Sequence, residues 1–269
     1  MKLNLNVKEI MLKEFPIMDK DDTLYHAIKL MKKYDIDRVV AVENGKLVGI
    51  ATKKDIMERL GTLRTRTVTT SRLYVSSVMT TNPIALGFDE NVSTVIKLMV
   101  DKDISSVPIV NDANEPIGLV TKVEVAGLCD KVDVKVSEIM SWNPVYVKPT
   151  DRVLHARQLL IRNSISTLPV VEGDMVIGLV TIDDIADALV MFHDMVPEKH
   201  RKERIMNLLV ADIMRIRFPK FYMDTPLSKV AKELSTRRLK GAPVLSRENM
   251  LAGIITLTDI VNFLAKQVK

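Results

Sequence analysis

An α/β fold of four β-α-β-β-α units, paired into two pseudo-two-fold modules that pack as a disk, is what the sequence predicts. Three observations carry this reading. Four segments align in register, opening at Val7, Val75, Val136 and Val210 and reaching a late glycine at Gly49, Gly118, Gly178 and Gly253. Each segment holds one stretch with helical spacing of apolar residues and two β-rich runs joined by a turn. At about 55 residues, a single unit has a small core and needs a partner. The repeats span 7–60, 75–129, 136–189 and 210–264, which places one module at 1–129 and the other at 130–269.

Each unit begins with Val-x-x-[Val/Ile]-Met and continues into a short strand, at Pro83 to Leu86 in repeat 2 and Pro144 to Val147 in repeat 3. An amphipathic helix follows. In repeat 1, Leu24, Ala27, Ile28 and Met31 stand on one helical face. In repeat 4, Thr225 is the expected N-cap, with Pro226 at the first helical position. Runs such as SVPIV and PIGLVT then form a hairpin, and a second helix begins at the threonine of a closing motif. Met11, Met79, Met140 and Met214 share one repeat position and read as adaptable core filler.

Composition narrows the function. With 47% hydrophobic residues, the 269-residue chain has enough apolar material for packed cores. Cys129 is the single cysteine, so an intrachain disulfide and a cysteine-based zinc site are excluded, and a reducing cytoplasmic location is expected. No signal peptide and no spanning segment is legible, so a soluble protein without membrane association is expected. The 39 basic against 34 acidic residues give +5, a mild preference for anionic partners. Two basic stretches, 61–74 with Arg64, Arg66 and Arg72, and 197–204, read as solvated linkers and as weak candidates for nucleic-acid contact. His26, His155, His193 and His200 are scattered, and no catalytic, metal or phosphate-loop motif occurs. No enzyme activity, metal or catalytic cofactor is expected.

The opening motif, the Asn-Pro of repeats 2 and 3, the strand with a central proline and the closing Gly-h-h-Thr-x-x-[Asp/Glu] together resemble the cystathionine beta-synthase (CBS) domain. Four copies resemble two tandem Bateman modules, as in the gamma subunit of AMP-activated kinases and in archaeal stand-alone proteins. Repeat 1 departs from the pattern with Val40 in place of the proline, and repeat 2 with Glu124 in place of the aspartate.

The closing motifs are Thr52 with Asp55, Thr121 with Glu124, Thr181 with Asp184, and Thr256 with Asp259. Two readings stay open for them. Thr-x-x-Asp/Glu is a capping box, in which each side chain satisfies a backbone N–H. The same helix N-terminus can receive a polar ligand, its carboxylate accepting hydrogen bonds from ribose hydroxyls. The resemblance implies clefts between paired repeats. Thr52 and Asp55 would face Asn82, Pro83, Ile84 and Ala85. Thr256 and Asp259 would face Asn143, Pro144, Val145 and Tyr146. Thr181 and Asp184 would face Phe218, Pro219, Lys220 and Phe221. The Glu124 cleft, facing Phe15, Pro16 and Ile17, is expected to be empty or weak. Arg38 resembles a phosphate-binding arginine, with Lys240 one residue earlier in its repeat; Ser105, Ser106, Ser166 and Thr167 supply hydroxyls where their repeats lack a cation. Cations near in sequence favour phosphate at the Asp184 and Asp55 clefts over the Asp259 cleft.

The resemblance implies a non-catalytic regulatory sensor, of energy state for example, whose effector is an adenine nucleotide (AMP, ADP or ATP) or an S-adenosyl compound. An effector protein would read its conformation, and a homodimer is possible. Two alternatives are an interaction scaffold with vestigial clefts and a regulator touching nucleic acid through its basic linkers.

Overall fold

The computed structural model describes residues 5–62, 69–130 and 132–268. Repeat 1 comprises β1 (Ile17–Asp19), α1 (Leu24–Tyr34), β2 (Arg38–Glu43), β3 (Lys46–Thr52) and α2 (Lys53–Leu60). Repeat 2 comprises β4 (Thr80–Thr81), β5 (Leu86–Gly87), α3 (Val92–Asp101), β6 (Ser106–Val110), β7 (Pro116–Thr121) and α4 (Lys122–Ala126). Repeat 3 has β8 (Ser141–Trp142), α5 (Val153–Arg162), β9 (Thr167–Glu172), β10 (Met175–Thr181) and the long α6 (Ile182–Met195). After α7 (Glu198–Arg204), repeat 4 has β11 (Phe221–Tyr222), α8 (Leu227–Thr236), β12 (Gly241–Leu245), β13 (Leu251–Thr256) and α9 (Leu257–Ala265).

Paired repeats exchange their opening segments. β4, at the start of repeat 2, joins the repeat 1 sheet in the order β1-β2-β3-β4, and β8 of repeat 3 joins the repeat 4 sheet in the order β11-β12-β13-β8. The reciprocal contacts are single bridges, Leu12 to Leu119 and Arg215 to Leu179. The opening methionine locks each exchange. A Cβ built on Gly49, Gly118, Gly178 or Gly253 would collide with the Sδ of Met79, Met11, Met214 or Met140 respectively, each from the paired repeat. These methionines therefore pack on a bare backbone that only glycine provides, a tighter role than core filler.

Hydrophobic packing follows a different pairing. One cluster combines repeat 1 residues such as Met31, Ile56 and Leu60 with repeat 3 residues such as Leu160, Ile185 and Leu189. The second combines Ile96, Met99 and Val125 of repeat 2 with Leu234, Ile260 and Leu264 of repeat 4. α2 packs on α6, while α4 packs on α8 and α9. Repeat 3 also closes the end of α2, because Arg157 donates to the carbonyls of Met57 and Glu58 at 2.9 and 2.7 Å. Sheets and two small apolar clusters thus join repeats 1 with 2 and 3 with 4, whereas the two large cores join 1 with 3 and 2 with 4.

Several local expectations shift. Pro83 to Leu86 and Pro144 to Val147 are not continuous strands: they pair only at their ends, Leu86 with Ile109 and Val147 with Val170, and Thr80–Thr81 and Ser141–Trp142 pair ahead of the prolines. Asn82 and Asn143 then adopt left-handed backbone, φ 49° and 50°, so the chain turns just before each proline. Pro226 is the N-cap of α8 and Leu227 its first residue, because the Thr225 hydroxyl accepts from Tyr222 N at 3.0 Å. The 197–204 stretch is a largely exposed link between repeats 3 and 4, but it is helical, forming α7, and Arg201 is buried with Nε donating to the Val196 carbonyl. Of the 61–74 stretch, Arg64 and Arg66 lie outside the described residues, while buried Thr70 donates to Asp194 at 2.8 Å.

Candidate ligand-binding site

All four closing motifs form capping boxes. In repeats 1, 3 and 4 the aspartate Oδ2 accepts from the threonine backbone N–H and hydroxyl at 2.7 to 2.8 Å. Glu124 Oε2 does the same for Thr121 at 2.9 and 2.6 Å. The first N–H of each of these helices is also consumed, by the carbonyls of Asp37, Ser105, Ser166 and Lys240. These bonds tie each helix to the loop before the central strand. What distinguishes the four motifs is the other carboxylate oxygen.

Two of the four are filled from repeat 4. Arg215 Nε donates to Asp184 Oδ1 at 2.6 Å. Arg238 Nη1 donates to Glu124 Oε1 at 3.0 Å, and Glu124 is nearly enclosed. Asp259 Oδ1 takes no hydrogen bond or ion pair among the described residues. Burial holds the Asp259 carboxyl above its ordinary value, against the lowering effect of the bonds from Thr256.

Asp259 lines a cavity of about 990 Å3 to which all four repeats contribute. Across from it stand Ser141, Trp142, Asn143, Pro144 and Val145 of repeat 3. Arg38 and Thr52 of repeat 1, Ser105 and Lys122 of repeat 2, and Ser166 and Thr167 of repeat 3 also line it. Val145 and Trp142 are exposed, at 37% and 56%, and so offer flat apolar surface to a ring.

The centre is a charged network. Lys240 Nζ bridges Asp37 Oδ2 at 2.7 Å and Asp183 Oδ1 at 2.9 Å. The Asp183 oxygen is buried and has no partner other than Lys240 among the described residues. Arg38 is buried: Nε donates to Asp37 at 2.7 Å and Nη1 to Ser105 Oγ at 3.1 Å. Burial pushes Asp37 upward, but the Arg38 and Lys240 charges outweigh it and hold the carboxyl far below the usual range. Burial likewise pulls on Lys240, while Asp183 and Asp37 push it up to about 12. Lys122 differs from these: its Nζ donates to the Thr258 hydroxyl at 3.1 Å, and burial draws its ammonium below the ordinary value.

The cavity therefore brings together Arg38, Thr52, Ser105, Asn143, Pro144, Val145, Ser166, Thr167, Lys240, Thr256 and Asp259. Asp55, Asn82, Pro83, Ile84, Ala85, Ser106, Tyr146, Thr181, Asp184, Pro219, Lys220 and Phe221 do not line it. Phe221 is a buried core residue on β11, so it is not an open edge for a base. Lys220 lies over the Phe218 ring at 5.3 Å from its centre. Trp142 and Lys122 were missed in the sequence reading. The signals were there, since Trp142 immediately precedes Asn143 and Lys122 directly follows the Thr121 of a closing motif.

The repeat pattern and this geometry can be set beside known proteins. The pattern of the CBS domain matches residues 7–62, 75–129, 136–191 and 210–266. The chain belongs to the CBS domain family. It is 26% identical over 249 residues to protein MJ1225 of Methanocaldococcus jannaschii, covering 87% of this chain and 88% of that one. The crystal structure of MJ1225, described as a proposed archaeal homologue of g-AMPK, matches with a TM-score of 0.85 at 23% identity, over 97% of this chain and all of that one. A conserved protein from Pyrococcus horikoshii matches with a TM-score of 0.63 at 20% identity, again over 97% of this chain. At these identities the two structures establish the fold. A homoserine O-acetyltransferase of Methanosarcina acetivorans shares 30% identity over 118 residues, which is 43% of this CBS protein and only 22% of that enzyme. Among the described residues no helix is long and apolar enough to cross a membrane, and no cluster of metal-ligating side chains occurs.

Proposed function

We propose that this CBS protein is a non-catalytic regulatory sensor whose effector is an adenosine-containing ligand, AMP, ADP, ATP or an S-adenosyl compound, held in the cleft between repeats 3 and 4. The observation that carries the reading is the Asp259 carboxylate: one oxygen caps α9, and the other is unpartnered beside a cavity large enough for a nucleotide. Ribose hydroxyls donate to Asp259, and the adenine ring lies along Pro144 and Val145 with its edge toward the backbone. The phosphate end is met by Lys122 and the cations of the centre. Because the cavity draws on every repeat, a ligand there favours one arrangement of the modules 1–129 and 130–269, which an effector protein reads.

The single tryptophan supplies the test. Trp142 lines the cavity and is half exposed, so its fluorescence reports on occupancy. Titration with AMP, ADP, ATP, S-adenosylmethionine and methylthioadenosine should give a saturable change for at least one of them. Asp259→Asn should weaken that ligand by ~10-fold or more, the loss of a charge-assisted bond. A panel with no fluorescence change and no thermal shift would overturn the reading in favour of a scaffold; bound ligand at 100 times its dissociation constant adds ~2.7 kcal/mol.

A further inference from the structure

One position in each opening segment has the same place in the fold and a different side chain every time. Leu12 bridges Leu119, Thr80 pairs with Ile50, Ser141 pairs with Ile254 and Arg215 bridges Leu179. Each partner directly follows the late glycine of the paired repeat, so the four residues are equivalent in register. That register leads to the paired repeat's closing motif, as the 2.6 Å contact from Arg215 Nε to Asp184 Oδ1 demonstrates. The equivalent of Arg215 beside Asp259 is Ser141, and both Ser141 and Asp259 line the cavity.

We propose that this position determines which of the three aspartate clefts accept ribose, and that Arg215 closes the Asp184 cleft by occupying the carboxylate oxygen a ribose would use. The proposal rests on the adenosine reading of the Asp259 cleft and makes the Asp184 cleft a non-binding one despite its intact Thr-x-x-Asp motif. Asp184 Oδ2 is consumed by Thr181 and Oδ1 by Arg215, so both oxygens have partners before any ligand arrives. A ribose would have to break a charge-assisted bond to form one, with little net gain. Serine at position 141 and threonine at position 80 are too short to block in this way. Leucine at position 12 packs in an apolar cluster with Leu119, and Arg238 takes the Glu124 oxygen there.

The test is the stoichiometry of AMP by calorimetry on the full chain. Arg215→Ser, copying Ser141, should gain one AMP site, and the gain should vanish in Arg215→Ser with Asp184→Asn. Arg215→Thr, copying Thr80, should behave like the serine variant. Asp184→Asn alone should leave the wild-type stoichiometry unchanged. An extra site absent from both folded Arg215 variants, checked by circular dichroism, would overturn the proposal. So would loss of a wild-type AMP site in Asp184→Asn, a result readable whether or not the Arg215 variants fold. Failure of the adenosine reading itself looks different: wild-type AMP binding would be absent, or indifferent to Asp259→Asn.

Discussion

Asp184 and Asp259 occupy the same place in adjacent repeats and make the same capping bonds to within 0.1 Å, yet one is an internal ion-pair partner and the other faces a cavity. The difference lies at the second oxygen: Arg215 of the paired repeat fills that of Asp184, whereas no described side chain fills that of Asp259. A motif can thus specify local structure in every copy while its availability to a ligand is set elsewhere. The open copy retains a half-buried, partly desolvated carboxylate, the sort of unrelieved cost that ligand sites carry.

The largest effect expected on the filled side is at Lys240. Lys240→Met leaves Asp37 and Asp183 buried without their shared cation, and should lower unfolding free energy by ~3 to 5 kcal/mol in urea denaturation. Loss of less than about 1 kcal/mol would show that the centre is wetter than its geometry indicates.

The paired substitution of the two aspartates follows in size. Asp184→Asn removes the charge facing Arg215 and should destabilise by about 1 to 3 kcal/mol with no loss of AMP affinity. Asp259→Asn keeps an oxygen for the cap and should leave thermal stability equal or slightly raised, while weakening AMP by ~10-fold. Equal destabilisation by both would erase the distinction drawn between the clefts. The sign for Asp259 follows from its raised pKa. The folded state binds that proton more tightly than the unfolded chain, so the residue costs nothing well below its ordinary value of 3.8 and its penalty grows as pH rises through the raised value. The relative stability of Asp259→Asn should accordingly increase from acid toward neutral pH.

The central network predicts the opposite behaviour at both extremes. Asp37 is lowered, so its contribution is present above its ordinary 3.8 and is lost as pH falls toward the folded value. Lys240 is raised, so its contribution is full below 10.5 and is lost between 10.5 and about 12. Wild-type stability measured across alkaline pH should therefore fall in that window, and Lys240→Met should flatten the fall. A wild-type curve without it would remove Lys240 from the network.

The smallest effect concerns Lys122. Its ammonium is already disfavoured by burial and, among the described residues, bonds only a hydroxyl, so Lys122→Met should cost little stability. Affinity for ATP should drop several-fold while methylthioadenosine, which lacks phosphate, is unaffected, as a single charge contact at about 1 kcal/mol requires. Equal losses for both ligands would place Lys122 at the ribose or base end of the cleft.

Much of the fold was legible because it is local and repeated four times. Helical spacing placed Leu24, Ala27 and Met31 on the buried face of α1, and the closing threonines are N-caps as their spacing from the acids required. The asparagine-proline segments misled the strand reading, because Asn82 and Asn143 turn the chain where an extended run was expected. Of the candidate site, the pairing of Asp259 with Asn143 to Val145 came from the family resemblance, and these residues line one cavity. The preference for the Asp184 and Asp55 clefts came from counting cations near in sequence, and charge acts through space. Arg215, 31 residues from Asp184, neutralises the first, whereas Lys122, in another repeat altogether, lies beside the Asp259 helix.

What the sequence determined by itself is the repeat: its period, its capped helices, its hairpins, and the need of each small unit for a partner, since these depend on contacts between residues close along the chain. Only the tertiary structure decided which repeats share sheets and which share cores, and which carboxylates are left free. Those outcomes depend on single side chains arriving from distant repeats, Met79 on Gly49 or Arg215 on Asp184, and a linear pattern carries no information about how far apart in space two such residues will be.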